Sequence, residues 1–148
     1  MATIWTGIRD GSSWALATVV RQLRSAPRNA GTMMAVASDG RTLGNVSAGC
    51  VDAEVRATAE QVLASGESRL SLYGVSDDRA LAAGLSCGGS IEVVVTPAPD
   101  AELVSQLTRS IDADDPVALV TMLEPTRLRG RHLVVGLERA EGSTGDDS

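Results

Sequence analysis

A single layered domain of the α/β or α+β class, with a mixed β-sheet, an early β-hairpin and packed helices, is the fold this sequence predicts. Three observations predict it. Several short apolar runs have the character of strands, two longer stretches repeat their apolar residues at helical spacing, and 148 residues with 43% hydrophobic content suffice for one core.

Residues 15–23 are apolar with β-branched side chains at the centre and read as a mostly buried strand. The next stretch, SAPRNAG, carries Pro27 and Gly31 and reads as a loop. Residues 33–38 resume as a strand, Asp39-Gly40 marks a tight turn, and residues 41–46 return antiparallel, which is the early hairpin. After Gly49 the period lengthens: Val51, Val55, Thr58, Val62 and Leu63 share one helical face, Asp52, Glu54, Arg56 and Glu60 leave it, and Ser65-Gly66 closes the helix. Residues 69–73 alternate as a strand and 74–78 turn. A short helix over 79–83, capped by Ser76 or Asp77, ends at Gly84.

Residues 90–96 form the next strand, ended by Pro97 and Pro99. A helix capped by Asp100 runs to 111 with Leu103, Val104, Leu107 and Ile111 on one side. A polar turn at 112–115 precedes a strand at 117–123, a turn at 125–130 and a last strand at 132–137. The domain is expected over 1–140, with 141–148 as a disordered acidic Gly/Ser tail.

Composition narrows the function. No apolar run approaches the ~20 residues of a membrane span, and the start MATIWTGIRDG has neither the basic nor the apolar segment of a signal peptide. The expectation is a cytoplasmic chain, not membrane-bound, whose two cysteines are reduced thiols. A net charge of −6 speaks against nucleic-acid binding. Every cation apart from the one histidine is arginine, which suits a local anion site, although genome composition alone also produces an all-arginine chain. Neither GxGxxG after a strand nor GxxxxGK[ST] is present.

The chemistry centres on Cys50, in NVSAGCVD, and Cys87, in LSCGGS. A thiol in the first turn of a helix is favoured as thiolate by the unpaired N–H groups there, and Gly49 lets backbone approach a bound anion. Small buried filler is the competing reading for both cysteines. Zinc is a poor explanation, since no CxxC or HxxxH unit exists. A cysteine–histidine couple would need His132, which opens an apolar strand. Arg24 and Arg28 flank Ser25-Ala26-Pro27 and either present a guanidinium to an anion or are solvated. Arg127, Arg129 and Arg131 read as a solvated loop, and Asp77-Asp78 as helix capping.

LATVVRQLRSAPRNAGTMMAVASDGRTLGNVSAGCVDAEV, then LSLYGVSDD, then GLSCGGSIEVVV, resembles the N-terminal domain of the XdhC/CoxI family over residues 15–97. The resemblance rests on the SAPR loop, the Asp-Gly hairpin, the glycine-cysteine helix start, the YG[VIL]SD element and the CGG turn. It implies a molybdenum cofactor chaperone, more an accessory protein than an enzyme. Such a protein binds molybdopterin or its dinucleotide form transiently and assists its sulfuration and insertion into a xanthine dehydrogenase or carbon monoxide dehydrogenase type enzyme.

The implied partners are a molybdenum hydroxylase apoenzyme, a cysteine desulfurase and a second copy of the chain. Many members carry a C-terminal Rossmann-like domain. The expectation here is a single-domain form, or one completed by a separate Rossmann-like partner domain. Carried onto this sequence, the cofactor-binding residues are Arg28, Ser47, Gly49, Cys50, Cys87, Gly88 and Gly89, with Cys50 and Cys87 near molybdenum. Loops 24–31, 47–51 and 86–90 are expected to converge on one site. Arg24 and Ala48 depart from the family pattern, which has glycine at both places. A thiol sulfurtransferase or redox protein using Cys50 and Cys87, and a pure interaction subunit, are the alternatives.

Overall fold

The computed structural model describes residues 2–23, 28–49, 51–74, 89–137 and 140–142. Its central strand is β1 (Trp14–Leu23), whose first residues are buried on both faces, the expected signature of a strand covered from two sides. β1 pairs on one side with β2 (Met33–Ala37), which turns at Asp39-Gly40 into β3 (Thr42–Gly44). On its other side lies β5 (Ser90–Pro97), followed by β4 (Arg69–Tyr73), giving the order β3-β2-β1-β5-β4.

A second sheet joins β6 (Val117–Thr121), β7 (His132–Gly136) and β8 (Ala140–Gly142). Every pairing among the described strands is antiparallel, so the α+β form of the expected class is observed and the sheets are antiparallel where a mixed sheet was expected. β8 is also a correction, because the strand at 132–137 is not the last. Glu141 and Gly142, assigned to the tail by sequence, pair with Val134 and Leu133. A Cβ on Gly142 would meet the His132 carbonyl oxygen, so only glycine fits this approach.

Alternation along the strands divides the core in two. Ala15, Ala17 and Val19 of β1 join Met34, Val36, Ile91, Val93 and Val95 beneath α2 (Asp52–Ser65), which contributes Val55, Ala59 and Val62. Thr58, expected on that face, lies at its margin with its hydroxyl 2.8 Å from the Tyr73 hydroxyl. Trp14, Leu16, Ala35 and Ala37 face the other way, onto α1 (Ala2–Gly7), the 3-10 turn Ile8–Asp10 and α3 (Ala101–Asp112). α3 presents Leu103, Val104 and Leu107 as the spacing predicts, and Asp100 Oδ1 accepts from the Leu103 N–H at 3.0 Å, the expected cap. The second sheet packs on α3 through Val134, Val117 and Leu119.

α1 was not read from sequence. It is anchored by Ile4, Trp5 and Ile8, all at least 93% buried. A latch beside it ties the hairpin to the N-terminus: Arg41 pairs with Asp10 and Asp39 and lies 5.2 Å from the Trp14 ring centre, while the Trp14 indole N–H donates to Asp10. The Ser12 backbone N–H, the indole and Arg41 together hold the Asp10 carboxyl far below the usual carboxylate range. Arg129, read as solvated, is turned inward instead, donating to the Leu123 carbonyl and pairing with Glu124.

Candidate functional site at one end of the sheet

The registers place three connections together. Leu23 at the end of β1 pairs with Ser90 at the start of β5, and Tyr73 at the end of β4 pairs with Ile91. Gly44 at the end of β3 pairs with Met34 at the start of β2. The strand ends flanking 24–32, 45–51 and 74–89 therefore share one end of the five-stranded sheet. This is the end expected for the loops carrying Arg28, Ser47, Gly49 and Gly89. Cys50, Cys87 and Gly88 lie outside the described residues, as do Arg24 and the expected turn and helix at 75–84.

The segment entering α2 is built on two side-chain acceptors that sequence reasoning missed. Asp52 Oδ1 accepts from the Val46 N–H at 3.0 Å, the Ser47 N–H at 3.1 Å and the Ser47 hydroxyl at 2.9 Å. The Ser47 oxygen in turn accepts from the Val51 N–H at 2.9 Å. Asn45 Oδ1 accepts from the Ala48 N–H at 3.0 Å and from Arg28 Nε at 3.1 Å, so it links the SAPR loop to the helix entry. The available signal was an Asn and a Ser just before a glycine and an Asp in the first helical turn, the residue types that hydrogen-bond nearby backbone.

Ser47, expected to contact the cofactor, is fully buried and spends its hydroxyl within the loop. Its part is to shape the turn. Ala48 stands where the resembled family has glycine and takes a φ of 57°, a left-handed conformation that disfavours a side chain; the Asn45 bond to its N–H holds it there. Gly49 follows at φ 111°, and a Cβ built on it would meet nothing within 4 Å, so this crest of backbone is open. Arg28 is exposed and, among the described residues, is tethered through Nε. Among the described residues no acceptor takes its terminal nitrogens, whereas Arg21, Arg41, Arg56, Arg109 and Arg129 are each paired with a carboxylate. Gly89 is buried beside Ser90.

His132 stands at the opposite end. Its Nε2–H donates to the Pro97 carbonyl at 3.2 Å, and its Nδ1 lies 3.0 Å from the Thr121 hydroxyl, a pair of partners suited to the neutral ring. Thr96, against which the ring packs, is six residues along β5 from Ser90, about 20 Å. The cysteine–histidine couple would need Cys50 or Cys87, both of which lie outside the described residues. A cleft of about 400 Å³ beside His132 and one of about 620 Å³ between α3, β7 and β8 also lie away from Arg28 and Gly49.

Burial holds the His132 imidazole below its ordinary value of 6.5, outweighing the Pro97 hydrogen bond and Asp100. The unfolded chain therefore takes up this proton first as pH falls. The stability that the neutral ring contributes is complete above about 6.5 and declines as pH drops toward the lowered folded value. Urea titrations across this window are expected to show a loss of at most about 1.4 kcal/mol per pH unit from this group. His132→Gln should flatten that slope, and an unchanged slope would show that the ring does not carry it.

Residues 8–74, which include β1, the hairpin, Arg28, Asn45 and the helix entry, match the XdhC and CoxI family. The chain belongs to the XdhC and CoxI family. Within it, the chain is 30% identical over 112 residues to the molybdenum cofactor insertion chaperone PaoD of Escherichia coli K12, covering 76% of this chain and 35% of PaoD. A crystal structure described as a xanthine dehydrogenase from Bacillus halodurans superposes with a TM-score of 0.78 at 22% identity, over 96% of this chain and 44% of that one. This second likeness shows the fold. The chain spans about a third of PaoD and less than half of the solved chain. The family match takes in the SAPR loop and the glycine-cysteine helix start, while Cys87, Gly88 and Gly89 lie beyond it. No helix among the described residues is long and apolar enough to cross a membrane.

Proposed function

We propose that this domain is an accessory protein that binds molybdenum cofactor, as molybdopterin or its dinucleotide form, and assists its sulfuration and insertion into a xanthine dehydrogenase or carbon monoxide dehydrogenase type apoenzyme. The observation that carries the reading is Arg28: a guanidinium fixed through one nitrogen to a neutral acceptor, its terminal nitrogens unclaimed among the described residues, in the loop that Asn45 joins to the open crest at Gly49. The kinship with PaoD, named as an insertion chaperone, supports the choice of cofactor.

The residues suit the group. Bound cofactor supplies a phosphate-bearing anion and a soft metal centre. Arg28 offers a planar fork for phosphate oxygens, and Gly49 leaves the backbone bare where a side chain would stand. Asn45 holds both in one frame. Cys50 and Cys87 are assigned to the same end on the strength of the resemblance, near molybdenum, as are Gly88 and Gly89. The role is carriage and delivery, with a cysteine desulfurase and the apoenzyme as partners.

The test is to purify the chain from a cofactor-producing host under reducing, anaerobic conditions and to assay bound pterin after oxidation. Wild type should retain pterin, and Arg28→Ala should weaken binding on the order of 10- to 100-fold, the loss of a charge-assisted contact. Cys50→Ala and Cys87→Ala report separately on the thiols. No pterin on wild type, even with a Rossmann-like partner domain supplied, refutes the chaperone reading, and undiminished binding by Arg28→Ala removes the arginine from it.

A further inference from the structure

We propose that Asp10 and Asp39 are two sites of spontaneous isoaspartate formation in this chain, and that the guanidinium of Arg41 holds both of them closed. They lie where Trp14 of β1 pairs with Ala37 of β2, at the other end of the sheet from Arg28 and Gly49, and their chemistry needs neither cofactor nor partner.

In an Asp-Gly dipeptide the glycine nitrogen can attack the side-chain carboxyl carbon. A C–N bond forms, the amide proton and the carboxyl hydroxyl leave as water, and a cyclic imide remains. Water then opens the ring at either carbonyl. One opening restores aspartate; the other leaves the main chain running through the side chain and lengthened by a carbon. Glycine is the most permissive residue to follow the aspartate, because no Cβ crowds the closing ring and its backbone turns freely. The reacting carboxyl must be neutral, since hydroxide and not oxide departs, and it must be free to swing toward the nitrogen.

Asp-Gly occurs at two places in the sequence, Asp10-Gly11 and Asp39-Gly40, and the fold brings both to one arginine. Each aspartate closes the same local turn by accepting from the backbone N–H two residues on: Asp10 Oδ1 from Ser12 at 2.9 Å, and Asp39 Oδ1 from Arg41 at 3.1 Å. The second oxygens go to the guanidinium. Asp10 Oδ2 lies 2.6 Å from Arg41 Nη1, and Asp39 Oδ2 lies 2.8 Å from Nε. The remaining nitrogen, Nη2, donates to the Ser12 hydroxyl at 2.9 Å, so the fork is fully used.

Both requirements of the reaction are thereby withheld. Neither carboxylate has an oxygen without a donor, and neither can swing toward its glycine without breaking a charge-assisted bond. The same donors keep both groups ionised: the Ser12 backbone N–H foremost for Asp10, and the Arg41 backbone N–H foremost for Asp39, hold each carboxyl below its ordinary range. At Asp39 the nucleophile is engaged as well, since the Gly40 N–H donates to the Ala37 carbonyl at 3.0 Å. Both aspartates are exposed, so water to open the ring is at hand. Exposed ion pairs of this kind add little to stability; the consequence of these is control of reactivity.

The whole protein is incubated at mildly acidic pH, digested, and mapped for isoaspartyl peptides by enzymatic methyl labelling and mass spectrometry. Folded wild type should convert at Asp10 and Asp39 several-fold more slowly than the urea-unfolded chain. Arg41→Gln should accelerate both sites together, several-fold, whereas Val62→Ala, which weakens the core beneath α2 away from the latch, should leave both slow. Added salt, which screens the ion pairs, should accelerate both sites in folded wild type with circular dichroism unchanged, and this arm depends on no variant. Conversion as fast in the folded as in the unfolded wild type, equal acceleration by Arg41→Gln and Val62→Ala, or rates indifferent to salt would overturn the proposal.

Discussion

Asp52→Ala is expected to destabilise the domain by about 3 kcal/mol, because one carboxylate oxygen satisfies two backbone N–H groups and a hydroxyl of two fully buried residues, Val46 and Ser47. With a urea slope near 2 kcal/mol per molar, the unfolding midpoint should fall by about 1.5 M. Val46 and Ser47 are both 0% exposed, so water cannot easily replace the lost acceptor. Asp52→Asn keeps an oxygen at the same reach and should cost about 1 kcal/mol, chiefly the charge assistance. Equal losses for the two variants would mean that charge, and not the geometry of the acceptor, holds the turn. A loss under about 1 kcal/mol for alanine would mean that the three bonds are not maintained in solution.

Trp5→Ala should be the most damaging change at the N-terminus, at about 4 kcal/mol, with the thermal midpoint lowered by about 10 °C. Trp5 is 3% exposed and packs in the cluster with Ile8, Trp14, Leu103 and Leu107. Its removal leaves an indole-sized void between α1, α3 and the sheet. Helices as short as α1 have no stability alone, so its order depends on this contact. Calorimetry is the measurement. A shift of only a degree or two would show that α1 is not docked in solution and that its tryptophan contributes little to the core.

Much of this fold was legible because its long elements advertise themselves. α2 and α3 carry apolar residues at helical spacing and end in recognisable caps, Gly66 and Asp100. β1, β2 and β5 are apolar, β-branched and bounded by proline or glycine. α1 and β8 are too short for any period to emerge, and what holds them is tertiary: Trp5 in its cluster, and Gly142 against the His132 carbonyl. The antiparallel character of the sheet was hidden for a different reason. It depends on β1 meeting β5 across about half of the chain, which no local pattern encodes.

Proline and glycine marked the connections that the register gathers at one end of the sheet, since SAPR and the turn at Ala48-Gly49 interrupt periodic stretches. The identity of the working atoms inside them was less visible. Ser47 resembled a ligand by its position beside Gly49 and proved to be internal scaffolding, whereas Asn45 looked like an ordinary turn residue and fixes Arg28. Side-chain bonds to backbone depend on the loop's dihedral angles, and spacing does not determine these.

The pairing of Ala15 with Pro97 and of Leu23 with Ser90 also governs when the site comes into being. A nascent chain makes β1 early, with β2 and β3 soon beside it. The strand must then wait until β5 emerges before its second edge is filled. Closing so large a loop carries an entropic cost that nearby contacts do not offset in advance, and folds dominated by such distant pairings form slowly. Arg28 follows β1 in the chain and Gly89 precedes β5, so the closing step joins the strands next to both. A chain interrupted before β5 would retain the hairpin and the helix entry with the second edge of β1 still open.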